Sequence, residues 1–301
     1  MSSARCQRTV RQPAVVKGFG YFSGRDICLE FRPATANSGV TFVRGDLSPA
    51  VRIPVSPALR LDVPRRTTLS WNGARVDMVE HVLAALAGLA IDNCEVWVNA
   101  PEMPACDGSA LDYVEALDTV GTLEQAPPVR QIRVTRRVRV GDEQSWIEAS
   151  PATGTGLSVA FDLNYSSHPA IGRQTIRLDV HPANFRSELA SCRTFLEEET
   201  ARAMVAQGIG LRVTTKNLLI YGPNGPIDNT LRFDNECVRH KVLDVVGDLA
   251  LTGCEVVGDV VAYRSGHRLH AELARKLMEQ AGMTPIGATP QETTNEQRRV
   301  A

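Results

Sequence analysis

Residues 238–249 read as a helix that is apolar almost all round yet carries three ionisable side chains in line. Val238, Val242, Leu243, Val245, Val246 and Leu249 mark a segment that buries itself. His240, Asp244 and Asp248 recur every four residues and so share one face. An uncompensated buried charge is expensive. The fold must give this stripe either a partner, for which a metal ion is suited, or a solvent-facing side. His-x-x-x-Asp is a weak motif and does not by itself decide between the two.

A second stretch bears on that choice. Val79-Glu80-His81 opens the strongly apolar run of residues 82–89. Alone, His81 reads as a helix-start or surface histidine, and Glu80 as a first-turn acid favoured by the helix dipole. Together the two stretches hold two histidines and a carboxylate for one divalent metal, with a free glutamate beside the first histidine. Three protein ligands, an open position for water and an adjacent base make up the kit for metal-assisted hydrolysis. No spacing rule joins segments so far apart.

With 301 residues, 43% hydrophobic and 22% charged, the chain has ample core for one large or two ordinary domains. A formal net charge of −1 gives no electrostatic case for nucleic acid. No stretch approaches the roughly 20 apolar residues that span a bilayer, and residues 1–8 lack an apolar signal core. A cytoplasmic enzyme without stable membrane insertion is expected, and a monomer. The seven cysteines show no Cys-x-x-Cys spacing and read as reduced thiols. Cys237 reads as packing, and Cys192 as the better candidate for covalent inhibition.

The order of elements predicts an α+β protein in two similar halves, residues 1–126 and 127–283. The first alternates strand-like runs at 14–16, 27–31 and 40–43 with turns. It continues through a strand at 68–71, the Glu80 helix, a strand at 94–98 and a helix over 110–120. Gln125-Ala126-Pro127-Pro128 reads as a linker. Strands at 132–134, 138–140, 146–149 and 157–161 follow, then a polar, helical insertion near 187–216, the His240 helix, a strand over 256–263 and a last helix over 269–281. The tail 284–301, rich in Thr, Gln, Pro and Asn, reads as disordered.

The run from Val79 to Asn93 resembles the signature of the UDP-3-O-acyl-N-acetylglucosamine deacetylases, zinc enzymes of the committed step of lipid A synthesis. Pro101-Glu102-Met103-Pro104, Asp107-Gly108-Ser109-Ala110, Arg193-Thr194-Phe195 and Leu231-Arg232-Phe233 continue the likeness. So do the His240 to Asp248 segment, Ala262-Tyr263-Arg264-Ser265-Gly266-His267, and the stretch from Phe31 to Gly39. The resemblance runs from about residue 7 to about residue 282. It implies two two-layer halves packed helix to helix, as a sheet–helix–helix–sheet sandwich with the metal at their junction.

The resemblance also implies roles. His81, His240 and Asp244 would bind one Zn2+, although Fe2+ also suits such a donor set. Glu80 would be the general base, and His267 the cation that stabilises the oxyanion and protonates the leaving amine. Asp248 would hold His267 charged, and Thr194 would donate to the tetrahedral intermediate. Lys241 would face the diphosphate of the UDP-linked acylated glucosamine substrate. Phe195 would lie near the nucleotide or sugar. Phe195, Leu196, Met204, Val205, Ile209 and Leu211 of the insertion would line an acyl passage.

Three departures stand out. The usual Gly-Leu-His-Thr-Gly is Gly20-Tyr21-Phe22-Ser23-Gly24 here, so Phe22 replaces a histidine. The usual Gly-Gly-Ser is Arg212-Val213-Thr214, where Arg212 and nearby Lys216 are expected to reach phosphate. Arg264 stands where lysine is common, which keeps the charge and changes its geometry. The second departure favours an alternative, a zinc amidohydrolase acting on another N-acylated nucleotide sugar or glycolipid. A metal-stabilised binding protein would need neither Glu80 nor His267.

Overall fold

The computed structural model describes residues 4–288. The fold is α+β. In one five-stranded sheet the strands Ala14–Phe19, Asp26–Pro33, Cys94–Val98, Val40–Arg44 and Val51–Pro54 lie side by side in that order. Ile27, Leu29 and Phe31 point into the core while Asp26, Cys28 and Glu30 alternate outward, the period of two that a half-buried strand requires. Cys94–Val98 is parallel to Val40–Arg44. A parallel pair needs a crossover, and this one carries helix α1 (Glu80–Gly88). Helix α2 (Leu111–Val120) follows the sheet's last strand.

The larger sheet repeats this plan. Its strands are Val138–Gly141, Trp146–Ser150, Glu255–Tyr263, Leu157–Tyr165 and Gly172–Val180, with Gln131–Arg133 pairing the start of Glu255–Tyr263. Counted within each sheet, both run 1-2-5-3-4, with the fifth strand parallel to the third. The intervening segment holds the single turn α3 (Pro182–Asn184), then α4 (Glu198–Ala206) and α5 (Glu236–Leu249); α6 (His267–Gln280) follows the fifth strand. Thus α1 and α5 are counterparts, each the crossover helix before its central strand.

These two helices pack against one another. In α1 only Ala87 is exposed, and in α5 only Arg239 and Lys241 escape full burial, as expected of helices that are apolar all round. They approach closely at Gly247. A Cβ there would stand 2.0 Å from the Glu80 carbonyl oxygen and 3.2 Å from the Ala84 nitrogen. The glycine lets the start of α1 lie directly on α5, between the turns that carry Asp244 and Asp248.

Three expectations need correction. Residues 125–128 are no free linker, because Thr122–Pro128 pairs antiparallel with the N-terminal strand Cys6–Val10. The prolines are tolerated at the end of a two-stranded edge ribbon, where a missing N–H breaks no central ladder. Of the helical insertion only α4 is a regular helix of more than one turn, while Phe195–Glu197 is a strand parallel to Leu219–Gly222. Of the tail, residues 284–288 are ordered: Pro285 is buried and Ser56 donates its hydroxyl to the Ile286 carbonyl at 2.7 Å. Residues 289–301 lie outside the described residues.

Candidate metal centre and active site

The helix pair brings the two sequence stretches together. His81 Nε2 lies 3.6 Å from Asp244 Oδ1, and His240 Nε2 lies 3.5 Å from the same oxygen. The imidazoles meet edge to face, with ring centroids 5.1 Å apart. His240 Nδ1 is 3.1 Å from the Cys192 carbonyl. A carbonyl only accepts, so Nδ1 carries the proton and the Nε2 lone pair faces Asp244. Burial pushes the His240 imidazole down to about 4, which keeps it neutral. Asp244 is held well below the usual carboxylate range, because its charged surroundings, the Lys241 ammonium first, outweigh the opposing effect of burial.

Asp244 Oδ2 accepts from Lys241 Nζ at 2.6 Å. Its Oδ1, buried, has no hydrogen-bond partner among the described residues. A buried anionic oxygen set between two imidazole nitrogens is costly unless a cation sits among them. Two imidazoles and one carboxylate are the donor types of a three-ligand divalent site with an open position. The residues therefore fit the metal that the sequence suggests.

Beside this centre Glu80 and His267 form a second layer. Burial raises the Glu80 carboxyl, and the nearby His267 and His81 pull it back only in part. Its Oε2 accepts from the Thr67 backbone N–H at 2.9 Å. His267 Nδ1 donates to Asp248 Oδ2 at 2.8 Å. Burial alone would lower His267, but Asp248, with Asp244 and Glu80 behind it, raises it to about 9. Asp248 is held below its ordinary range in turn, since its two histidine partners overcome desolvation.

Several devices hold these groups in place. Arg193 lies buried in a bidentate pair with Glu236, the first residue of α5, at 2.8 and 3.0 Å, and donates further to Asn229 and the Thr230 carbonyl. That pins the neighbouring Thr194, whose hydroxyl lies 3.0 Å from the Gly108 carbonyl and 3.2 Å from His240 Nε2. Non-glycine residues adopt left-handed backbone just ahead of both helices that supply the acid and base: Met78 (φ 62°) before α1 and Arg264 (φ 50°) before α6. Such conformations persist where surrounding contacts over-determine them.

A cavity of about 830 Å³ opens from the centre, its wall including Glu80, His81, His240, Lys241, Asp244 and His267 at one end. Phe195, Leu196, Met204, Val205, Ile209 and Val213 give it an apolar wall. The Phe195 ring lies edge-on to His240 at 6.4 Å. Three expected contributors are elsewhere. Leu211 is 72% exposed and outside the lining. Arg212 donates to the Gly24 carbonyl and Asp26, with its guanidinium over Phe19, so local partners already occupy its charge. The exposed Arg264 does not line the cavity; its backbone N–H donates to the Asp162 carbonyl. Cys192 is fully buried and its thiol is pushed up by desolvation, so it is inert rather than accessible. Cys237 packs against the Tyr221 hydroxyl, in line with its reading as a packing residue.

Residues 7–279 match the family model described as UDP-3-O-acyl N-acetylglycosamine deacetylase. The chain belongs to the UDP-3-O-acyl-N-acetylglucosamine deacetylase family. It is 39% identical over 277 residues to the deacetylase of that name from Actinobacillus succinogenes, covering 91% of this chain and 90% of that protein. It is 36% identical to those of Shewanella violacea (91% of this chain, 90% of the relative) and Brucella ovis (90% and 95%).

Some of this deacetylase's site residues escaped the sequence reading. Thr67 donates through its backbone to Glu80 and through its hydroxyl to Asp248 Oδ1, at 2.5 Å. His270 places Nδ1 2.8 Å from Asp248 Oδ2 and Nε2 2.9 Å from the Ser265 hydroxyl. Arg268 lines the cavity where Arg264 was expected. His270 follows His267 by three residues in a helix, a spacing available in the sequence. Thr67 had no signal, since nothing in Arg65-Arg66-Thr67-Thr68 separates it from ordinary strand entry.

Proposed function

We propose that this chain hydrolyses the acetamide of UDP-3-O-(3-hydroxyacyl)-N-acetylglucosamine, releasing acetate and the free amine. This is the committed step of lipid A synthesis. The observation that carries the reading is the orphaned, buried Asp244 Oδ1 facing two imidazole nitrogens beside a glutamate and a charged histidine. His81, His240 and Asp244 would hold one zinc ion, which when bound polarises the amide carbonyl and lowers the pKa of water to about 7.

The protein groups do the rest. Glu80, raised by burial, takes the proton of the attacking water as its oxygen bonds to the carbonyl carbon. The oxyanion so formed is met by the His267 cation and by the Thr194 hydroxyl, which turns from the Gly108 carbonyl. One such donor is typically worth about 3 kcal/mol. The C–N bond then breaks as His267 passes its Nδ1-opposed proton, at Nε2, to the departing amine. Asp248 holds the imidazole in that orientation. Lys241 at the cavity wall faces the diphosphate, Phe195 the nucleotide or sugar, and the apolar wall from Leu196 to Ile209 takes the acyl chain. Each buried methylene contributes about 0.8 kcal/mol.

The duplicated topology supports a division near residue 126 into halves stacked as sheet–helix–helix–sheet. We read the enzyme as a cytoplasmic monomer; among the described residues no helix is long and apolar enough to cross a membrane. The alternative N-acylated substrate keeps some support, because, of the altered positions, Tyr21, Phe22 and Val213 line the cavity.

The test is deacetylation of UDP-3-O-(3-hydroxyacyl)-N-acetylglucosamine by purified protein, before chelation, after it, and with zinc restored. Turnover that disappears and returns with the metal is expected. Protein that binds one zinc without turnover points to the other N-acyl substrate, and protein that binds none overturns the catalytic reading.

A further inference from the structure

Thr67 touches both sides of the acid–base pair. Its backbone N–H donates to Glu80 Oε2 at 2.9 Å and its hydroxyl to Asp248 Oδ1 at 2.5 Å. Its carbonyl accepts from the Val79 N–H at 3.2 Å, fixing the chain just before Glu80. The residue is wholly buried, so water does not replace any of these bonds. Helix α1 has no side-chain cap of its own at this end. The position of its first carboxylate therefore rests on Thr67.

We propose that Thr67 is a positioning residue that locks the general base and the acid-side carboxylate into one register. The N–H aimed at Glu80 and the hydroxyl aimed at Asp248 are joined through N–Cα–Cβ–Oγ of a single residue. A β-branched side chain is stiff at χ1, so the angle between the two donors is fixed. Asp248 also receives the Nδ1 protons of His267 and His270 on its other oxygen. With Thr67 on Oδ1 the carboxylate has no free rotation, and His267 inherits that orientation. The pair is thus set by one residue just ahead of the strand Thr68–Trp71, which carries no other catalytic group. Without the hydroxyl, Asp248 and the Thr67 backbone lose their common reference, and Glu80 and His267 drift independently.

This inference rests on the proposed deacetylation, and the two are separable. Thr67→Val keeps shape and χ1 stiffness while deleting the hydroxyl, and Thr67→Ser keeps the hydroxyl. Purified wild type, T67V and T67S are compared for kcat, KM and bound zinc on the same substrate. T67V is expected to lose about 10- to 100-fold in kcat with KM within about twofold, to retain one zinc per chain, and to be restored by T67S to within about threefold of wild type. A T67V enzyme with undiminished kcat, a T67S enzyme as impaired as T67V, or a loss confined to KM overturns the role of Thr67. Should T67V not be recovered folded, T67A replaces it under the same criteria. A wild type without turnover removes the proposed reaction and this role with it, whereas an active wild type beside an unimpaired T67V removes only this role.

Discussion

Gly247→Ala sets two effects of opposite sign against each other. In an exposed helix the change would stabilise by about 1 kcal/mol, because alanine loses less backbone entropy. At position 247 the added Cβ would lie 2.0 Å from the Glu80 carbonyl oxygen, 2.9 Å from its carbon and 3.2 Å from the Ala84 nitrogen. All three atoms are backbone, so no rotamer relieves the contact. Restoring an ordinary separation means moving α1 away from α5 by about 1 Å or more. Overpacking of this kind typically costs about 1–3 kcal/mol, and here it falls at the upper end. The net expectation is a loss of about 2 kcal/mol, which in a chain of this size lowers Tm by roughly 3 °C. Function should suffer more than stability. Glu80 and His81 ride on α1 while His240, Asp244 and Asp248 ride on α5, and a 1 Å misplacement of reacting groups costs about 100-fold in rate. Thermal denaturation and deacetylation kinetics, with surface Gly154→Ala as control because nothing lies near its Cβ position, measure both. A G247A protein whose Tm matches or exceeds wild type, with kcat within twofold, would refute the close approach and with it the account of how the site is assembled.

Glu80→Gln should keep one zinc while kcat falls by about 100- to 10,000-fold; metal analysis beside kinetics checks this, and loss of the zinc would make Glu80 a ligand rather than a base. The pH–rate profile should rise as Glu80 ionises, above the ordinary glutamate value because burial raises it, and fall as His267 loses its proton near pH 9. For stability the signs run the same way: the raised His267 contributes fully below its ordinary 6.5 and loses that contribution as pH climbs through about 9, whereas depressed Asp248 contributes above its ordinary 3.8 and loses it in acid. Asp248→Asn should accordingly move the alkaline limb of the rate profile to lower pH, and a limb that stays put would detach it from His267. Ile209→Trp should raise KM about tenfold for long acyl chains, by excluding roughly two methylenes at about 0.8 kcal/mol each, and leave short-chain substrates unchanged; equal effects on both would place the acyl chain elsewhere.

Much of this was legible before any coordinates. His240, Asp244 and Asp248 share a face because a helix returns every 3.6 residues, and Glu80 beside His81 needs no tertiary information at all. Period-two alternation marked the strands Asp26–Pro33 and Cys94–Val98. The edge strand Gly172–Val180 was missed because Arg173, Thr175, Arg177 and Asp179 alternate with only partly buried partners, which leaves little apolar signal. Arg212 and Leu211 were misplaced for a different reason. Residue type says that a guanidinium seeks an anion and a leucine seeks cover, but not which anion, and Asp26 from the other end of the chain was the nearer one.

Local rules thus determined which side chains line up within one element: the ligand pair of α5, the base–ligand neighbours of α1, and the apolar faces that bury both helices. They act over a few residues, through helical and strand periods that any segment of this composition obeys. Only the tertiary structure decided that α1 packs on α5 at Gly247, that Asp244 Oδ1 lies between His81 and His240 with no hydrogen-bond partner among the described residues, and that Thr67 reaches both Glu80 and Asp248. Those facts depend on contacts between residues up to 181 positions apart in sequence. Such contacts are selected by the packing of two whole sheets and their crossover helices, and no local pattern carries them.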